Sequence, residues 1–290
     1  MALQLRDWHD DDTEPWIRVR RTLPPPISDD NLRAIAAGER LPFLFRTVAT
    51  LQDRPVGWAS MSKYSDDRVQ RLTLVVAPQA RGRGVGSRLW AAVPKPAQSG
   101  LMVWADPDDA RSLAVAGHWG FEPVSRGMTS RAALTSRPPQ AAVPDGYRLS
   151  IAESTTVNEP RVDEILRASA TYPEAAVESP MTVATLRTMF PTMFWVLVES
   201  PDGELAAVSS ALREHDDEWF VIYTGVLPRH RRLGLARAVK AQLHAEVWSR
   251  GGRWIYTTNE ADNHEIRALN ASLGYEVTSS ELRLLRPRPA

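Results

Sequence analysis

The 290-residue sequence contains no cysteine, and this absence excludes disulfide bonds, thiolate metal sites and a covalent cysteine intermediate. It also lacks any run of about 18 apolar residues, the length that a membrane-spanning helix needs. The first twelve residues carry neither the basic nor the apolar segment of a secretory signal. We therefore expect a cytoplasmic protein with no membrane partner and no metal site.

Net charge is absent as well, because 35 basic residues are balanced by 35 acidic residues. A chain without a positive field is not expected to bind nucleic acid. Lysine is scarce, since Lys63, Lys95 and Lys240 are the only three. We interpret the excess of arginine as codon usage in a GC-rich genome, so partners must be inferred from local sites.

One pattern of residues occurs twice along the chain. Phe43–Ala59 and Met193–Ser209 both consist of an apolar strand, a turn and a second strand, which predicts a β-hairpin in each. The offset of 150 residues persists at three further pairs of positions: Pro78 and Pro228, Arg81 and Arg231, and Gly84 and Gly234. A constant offset over this span predicts a tandem duplication of one α/β domain.

The offset grows to 154 where Gly120-Phe121 matches Gly274-Tyr275, so the second copy carries four extra residues. A proline-containing segment between the copies favours an extended spacer. We place a first domain at 1–137, a linker at 138–146 and a second domain at 147–290. Strands and helices alternate in each copy, which predicts a mixed sheet with helices on its faces.

A glycine-containing turn lies between a strand and a helix in the second copy. The strand Trp219–Leu227 leads into Pro228–Ala236, and a helix is predicted from Leu235 to about Arg250. Small residues let the main chain approach a ligand closely, and the free amides of a helix N-terminus attract anions. This arrangement predicts a pyrophosphate site.

The first copy has Arg81–Gly86 in the same place, but its helix meets Pro94 and Pro96 after barely two turns. Because proline inside a helix costs about 3 kcal/mol or more, we expect this helix to end near Val93. The dinucleotide fingerprint is disfavoured because Ser87 occupies the position of its third glycine, and no Gly-Lys-Ser/Thr loop occurs.

The two turns resemble the CoA signature Arg/Gln-x-x-Gly-x-Gly/Ala of the GNAT superfamily of N-acetyltransferases. The matching residues are Arg81, Gly84 and Gly86 in the first copy and Arg231, Gly234 and Ala236 in the second. The resemblance extends from about Phe43 to Phe121 and from Phe194 to Tyr275. It implies a tandem bacterial member in which each domain is a mostly antiparallel twisted sheet flanked by helices, with a splayed cleft for acetyl-CoA.

The resemblance also implies which residues contact CoA. Main-chain groups of Val226 and Leu227 would hold the pantetheine arm, and Asn259 and Asn263 would line the cleft, although helix capping is an equal alternative for both asparagines. The implied contacts in the two loops are Arg231, Arg232, Leu233, Gly234, Leu235 and Ala236 in the second copy and Val76, Arg81, Gly82, Arg83, Gly84, Val85 and Gly86 in the first.

Many family members carry a tyrosine, as a general acid, four residues before the closing Gly-aromatic pair. Those positions here are Ala116 and Asn270, so the first copy is expected to be inactive and Asn270 can only hydrogen-bond. The reaction needs a base, for which Glu218, with Tyr223 behind it, is the nearest candidate. A solvated turn between strands is the alternative interpretation of Glu218.

The sequence thus predicts an acetyl-CoA-dependent transfer of acetyl to a primary amine, either a small molecule or a peptide N-terminus, in the second copy of a monomer or homodimer. The alternatives are a mycothiol synthase, a tandem type within the same superfamily, and a non-catalytic acyl-CoA sensor. In this family the acceptor is set by the segments before the hairpin, here Arg6–Arg40 and Tyr172–Pro191. The residues that could form its pocket, or equally the core, are Tyr172, Pro173, Glu174, Glu178, Met181, Met189, Phe190 and Met193.

Overall fold

The computed structural model describes residues 3–21, 29–39, 42–64, 66–139, 142–169 and 182–288. The strands are β1 (Leu3–Arg6), β2 (Phe43–Leu51), β3 (Arg54–Tyr64), β4 (Asp66–Val76), β5 (Gly100–Ala105), β6 (Glu122–Ala133), β7 (Arg148–Glu153), β8 (Phe194–Glu199), β9 (Leu205–His215), β10 (Glu218–Val226), β11 (Trp254–Glu260) and β12 (Glu276–Arg286). The helices are α1 (Thr13–Arg20), α2 (Asp29–Ala37), α3 (Val85–Ala92), α4 (Ala110–His118), α5 (Glu159–Ser169), α6 (Val183–Met189), α7 (Leu235–Ser249) and α8 (His264–Ser272).

The chain divides into two compact units. The first unit comprises 1–126 and 281–290, and the second comprises 127–280. Each unit therefore contains a segment from the other side of the predicted linker at 138–146. The first unit includes the end of β12, and the second includes most of β6. The predicted domain boundaries stay a prediction, because they concern which parts of the chain fold independently.

The first unit contains a six-stranded sheet in the order β1-β2-β3-β4-β5-β12. Neighbouring strands are antiparallel except β4 and β5, which are parallel. Apolar residues of α1 and α2 pack on Val48 and Trp58, while Val85 and Leu89 of α3 pack within a separate core cluster. The β2–β3 hairpin predicted from the sequence is confirmed.

The second unit repeats this plan in the order β6-β11-β10-β9-β8-β7, with β10 and β11 as its parallel pair. Apolar residues of α5 and α6 form one core cluster with Trp195 and Val208. The predicted apolar stripe of α7 forms the other cluster, with Phe194 and Val221. Both the β8–β9 hairpin and the mixed sheet flanked by helices are thus confirmed.

The two helices that follow the glycine-containing turns differ in length, as the prolines predict. α3 has 8 residues and ends at Ala92, whereas α7 has 15 residues and ends at Ser249. The connection after α3 is longer by three residues than that after α7, so a helix difference of seven leaves the net shift of four seen in the sequence. Among the described residues, no helix is both long and apolar enough to cross a membrane.

Candidate active site

The parallel strands β10 and β11 pair over only a short length. Glu218, Trp219 and Phe220 align with Trp254–Tyr256, and the pairing then stops although β10 continues to Val226. The two strands therefore separate towards the end of β10 that leads into the glycine-containing turn. In the first unit β4 and β5 also pair over three residues, Val69–Arg71 with Gly100–Met102, so both units contain a strand gap at the equivalent place.

A β-bulge marks the point at which the gap of the second unit begins. The register between β10 and β9 skips Ile222, because Val221 faces Ala211 and Tyr223 faces Ser210. The extra residue bends the strand and redirects the side chains beyond it. In the first unit the β3–β4 register is continuous from Gly57–Val76 to Lys63–Gln70, so the bulge distinguishes the second unit.

Tyr223, a candidate catalytic residue, lies directly after this bulge. Its hydroxyl donates a hydrogen bond to the carbonyl of Ile165 in α5, 3.2 Å away. A Cβ at Gly225 would collide with the Tyr223 ring and hydroxyl, so the ring lies across a position where only glycine fits. Tyr223 is thus held against α5, and its predicted catalytic role is not required to explain its position.

The turn after β10 presents its main chain as an anion-binding loop. A short 3-10 turn, Pro228–His230, leads into the exposed residues 231–234, and α7 begins at Leu235. Gly234 has φ +77° and no atom lies within 4 Å of where its Cβ would be, so the space in front of the helix N-terminus is open. Arg232 adopts a left-handed φ of 66°, and its charge adds to that of the helix N-terminus.

The first unit contains the same loop conformation. Gly82 and Gly84 both have φ +77°, and the space at Gly84 is open. Arg81 Nε lies 3.4 Å from the carbonyl of Val76, and Arg231 Nε lies 3.4 Å from that of Val226. Both loops therefore share the open backbone geometry and the helix N-terminus on which the predicted pyrophosphate site depends.

The main-chain groups of Leu227, which are expected to contact CoA, are hydrogen-bonded within the second unit. Its N–H donates to the carbonyl of Ala206 at 2.9 Å, and its own carbonyl accepts from the N–H of His230 at 2.9 Å. The Leu227 side chain is buried in the α5 core cluster. The N–H of Leu227 is therefore already used within the second unit, and its contact with the pantetheine arm stays a prediction.

Two of the predicted asparagines meet beside the gap. Asn259 belongs to β11, and it accepts a hydrogen bond from Nδ2 of Asn270 at 2.7 Å. Asn270 is 2 % exposed, and its Oδ1 has no partner among the described residues. By the 154-residue offset, the first unit has Ala105 and Ala116 at these two positions.

Asn263 caps a helix, as the alternative interpretation holds. It precedes α8, and its side chain accepts a hydrogen bond from the N–H of Ile266 at 3.4 Å. Capping at this position stabilises a helix by about 1 kcal/mol. The side-chain oxygen of Asn263 is therefore already used within the protein.

Glu218, the candidate base, lies at the other end of β10 from the loop. It forms an ion pair with Arg131, whose guanidinium lies 3.8 Å from the centre of the Trp254 ring. Val226 follows Glu218 by eight positions in the chain, which is roughly 26 Å of extended chain. We therefore attribute Glu218 to the ion pair and leave it out of the proposed site.

A buried polar cluster lies behind the loop on α7. Lys240 is 1 % exposed, and burial lowers its pKa to about 7. Nε2 of His244 lies 2.9 Å from the hydroxyl of Tyr275. Burial and then the charge of Lys240 lower the pKa of His244 to about 3, while burial raises the pKa of Tyr275.

The expected acceptor pocket is only partly within the described residues. Tyr172, Pro173, Glu174, Glu178 and Met181 lie outside them. Of the others, Met193 is fully buried and Phe190 packs against the α5 core cluster, which supports the core interpretation for these two. Within the described ranges no group of three His, Cys, Asp or Glu residues could hold a metal ion.

Comparison with known proteins identifies a family. The model of the acetyltransferase (GNAT) family matches residues 3–121 and 160–275. Mycothiol acetyltransferase of Catenulispora acidiphila is 25% identical over 257 residues, covering 83% of this chain and 80% of that protein. Mycothiol acetyltransferase of Thermomonospora curvata is 26% identical, covering 91% of this chain and 88% of that protein.

Solved structures share the whole fold at low identity. A GCN5-related N-acetyltransferase from Sphaerobacter thermophilus superposes with a TM-score of 0.76 at 16% identity, covering 99% of this chain and 96% of that one. A tandem GNAT protein from the clavulanic acid biosynthesis pathway gives 0.75 at 20% identity, covering 100% and 99%. These similarities concern the fold alone.

Proposed function

The chain belongs to the GNAT family of acetyltransferases, and we propose that its second unit transfers the acetyl group of acetyl-CoA directly to a primary amine. The family match covers both copies, and members of this family use acetyl-CoA as acyl donor and small-molecule or peptide amines as acceptors. The chain is therefore an acyltransferase. Which of the two units is catalytic, and which amine accepts the acetyl group, are the parts that we propose.

The observation that carries the proposal is the Asn259–Asn270 pair beside the gap of the second unit. Both units have the gap and the open loop, but the first unit has alanines where the second has this pair. An unpaired buried acceptor such as Asn270 Oδ1 costs about 1–3 kcal/mol. Such a cost is understandable where a ligand supplies the missing partner.

The residues of the second unit support the following division of roles. Arg231, Arg232 and the first amides of α7 would bind the pyrophosphate of CoA, and the strand gap would receive the pantetheine arm. The amine nitrogen forms its bond to the acetyl carbon while the carbon–sulfur bond breaks, and the electron pair of that bond goes to sulfur. The unpaired Oδ1 of Asn270 would accept a hydrogen bond from an N–H of the pantetheine arm. Of the two protons that the ammonium group loses, one goes to the sulfur to give the free thiol of CoA, and the other goes to solvent.

Substitution of Gly234 tests the assignment of the loop. We expect Gly234→Val to lower kcat/KM for acetyl-CoA about 100-fold, because a β-branched residue is strained at positive φ and its side chain occupies the open space. The matched control is Gly84→Val, which makes the same change at the same φ in the first unit and should leave turnover in place. Full activity of Gly234→Val, or loss of activity only in Gly84→Val, contradicts the proposal.

A more specific candidate function is acetylation of the amine precursor of mycothiol. It is favoured by the relatives named mycothiol acetyltransferase, which this chain matches over most of its length. A thiol-release assay over that precursor, amino acids, aminoglycosides and peptide N-termini would test it. The candidate is supported if the precursor has the highest kcat/KM and is rejected if another amine exceeds it. Tight CoA binding with no thiol release for any amine would instead favour a sensor.

A further inference from the structure

A hydrogen-bonded row of three side chains lies behind the loop of the second unit. His230, the residue immediately before Arg231, contacts Tyr147 through one ring nitrogen and Glu204 through the other. Nδ1 of His230 lies 2.9 Å from the Tyr147 hydroxyl, and Nε2 lies 2.8 Å from Oε2 of Glu204. We call these three residues the histidine clasp.

The clasp joins three separate parts of the second unit. Tyr147 immediately precedes β7, Glu204 immediately precedes β9, and His230 ends the 3-10 turn after β10. The imidazole side chain is 13 % exposed, and its ring meets the Tyr147 ring edge-on with centroids 5.9 Å apart. The ring is thus enclosed as well as hydrogen-bonded.

Hydrogen-bond chemistry fixes the orientation of the imidazole. The Glu204 carboxylate can only accept, so Nε2 of His230 must carry the hydrogen, and in the neutral ring Nδ1 then accepts from the Tyr147 hydroxyl. Both ring nitrogens are used, which prevents the ring from rotating without losing a bond. The neighbouring Arg229 pairs with Glu204 and with Glu164 of α5, the latter at 3.1 Å, so both side chains at the end of the turn are anchored.

The first unit has no counterpart of the clasp. At the 150-residue offset, Ala80 replaces His230, Arg54 replaces Glu204 and Gln79 replaces Arg229. The main-chain turns of the two units are nevertheless the same, since the N–H of Ala80 bonds the carbonyl of Ala77 as that of His230 bonds Leu227. The clasp is therefore not needed to form the turn, and another reason is required for its presence in the second unit.

We propose that His230 is a positioning residue that holds the CoA loop of the second unit in its ligand-binding conformation. This role rests on the proposed function of that loop, whose conformation the clasp fixes before CoA binds. A loop that is ordered before binding loses less conformational entropy when the ligand arrives. Within residues 231–234, Arg232 adopts a left-handed φ, a conformation that a non-glycine residue populates poorly in an unanchored chain.

The test is a comparison of kinetic constants in His230→Ala, Tyr147→Phe and Glu204→Gln. We expect each to raise KM for acetyl-CoA and Kd for CoA roughly tenfold, the effect of losing one hydrogen bond to a charged or buried partner, with kcat nearly unchanged. His230→Gln, which can still donate to Glu204, should recover part of the affinity. His215→Ala is the control for loss of a histidine, because His215 is an exposed residue at the end of β9.

Amide hydrogen exchange gives a readout that does not depend on turnover. In the ligand-free protein, amides of residues 231–236 should exchange faster in His230→Ala than in the parent, while amides of residues 81–86 stay unchanged. Unaltered exchange and KM in His230→Ala, with Gly234→Val still abolishing CoA binding, would overturn the clasp and leave the proposed function intact. If Gly234→Val also binds CoA normally, the proposed function itself fails. A fall in kcat without a change in KM also contradicts a positioning role.

Discussion

At the scale of single residues, the two copies differ at a buried position of the helix that follows the loop. The sequence places Lys240 within a helix, and an interior lysine is among the least frequent buried residues. By the 150-residue offset the first copy has Trp90 at this position, packed against Trp119 at a centroid distance of 5.0 Å. The second unit therefore retains a cation where an apolar residue fits the same fold.

The charge of Lys240 makes stability depend on pH. Its pKa is about 7 in the folded protein and has an ordinary value of 10.5, so the unfolded chain binds the proton more strongly between these values. Stability conferred by the neutral amine is complete above pH 10.5, falls as the pH drops towards 7 and is constant below that. Lys240→Met, which is close in shape and carries no charge, should remove this dependence.

We expect Lys240→Met to be more stable than the parent at pH 7 by about 3 kcal/mol, with most of the difference gone at pH 10. Urea unfolding of both proteins at the two pH values measures it. Lys63→Met is the control, because Lys63 is an exposed lysine of the first unit. A stability difference of equal size at both pH values would show that packing, and not charge, distinguishes the two proteins.

At the scale of elements, the sequence predicted the helix ends and hairpins that apolar periodicity and turn residues determine. The ends of α3 and α7 follow from Pro94 and from Gly251-Gly252, and the hairpins follow from apolar runs on either side of a turn. The bulge at Ile222 was not predictable, because it depends on the register between two strands and on α5. Edge strands β1 and β7 were also missed, since β7 alternates weakly and is largely exposed.

Gly225 shows how the bulge and α5 depend on each other. The equivalent residue in the unbulged β4 is Val75, whereas a Cβ at Gly225 would meet Tyr223 and, at 2.8 Å, Cγ2 of Ile165. We expect Gly225→Ala to destabilise the protein by about 1–3 kcal/mol through overpacking. Because Gly225 lies on the part of β10 that borders the strand gap, turnover should fall as well, as thermal unfolding and initial rates would show.

Removing the obstructing ring should relieve that effect. The double variant Tyr223→Ala/Gly225→Ala should lose less stability than the sum of the two single variants, since residues in contact are not additive. Additive losses would mean that the Tyr223 ring does not lie over Gly225. A separate variant, Tyr223→Phe, tests whether Tyr223 acts catalytically. It loses the hydrogen bond to Ile165 and about 1 kcal/mol of stability, so a catalytic role requires a fall in kcat that the unobstructed Tyr223→Ala/Gly225→Ala variant shows as well.

At the scale of the whole molecule, the duplication and its asymmetry could be predicted from the sequence. Which strands belong to each unit could not. The fixed offset of 150 residues can be recognised from the residue pattern alone. The same is true of the loops at Gly84 and Gly234. The strands that complete each sheet come from distant parts of the chain, and local periodicity contains no information about such pairings. The same reason explains why Tyr147 and Glu204 were not recognised as partners of His230.

The strands that belong to the second unit predict which fragment of the chain folds stably. Residues 127–133 pair antiparallel with Trp254–Glu260 along the whole of β11, so a fragment of residues 147–290, cut after the predicted linker, loses the neighbour of that strand. A fragment of residues 122–290 keeps it. Unpaired strand edges expose main-chain groups that pair with other chains, so we expect 147–290 to associate and to unfold at a lower temperature.

Size-exclusion chromatography and thermal unfolding of the two fragments measure this difference. Fragment 122–290 is longer than fragment 147–290 by β6 and the segment that follows it. A third fragment, 122–290 with Thr129, Arg131 and Ala133 replaced by proline, therefore separates the effect of strand pairing from that of added length. These residues lie opposite Thr258, Tyr256 and Trp254, and proline cannot donate to a strand ladder. The proline variant should behave like 147–290. Equal stability of all three fragments would mean that the second half of the chain folds without β6, as the domain boundary at 147 predicts.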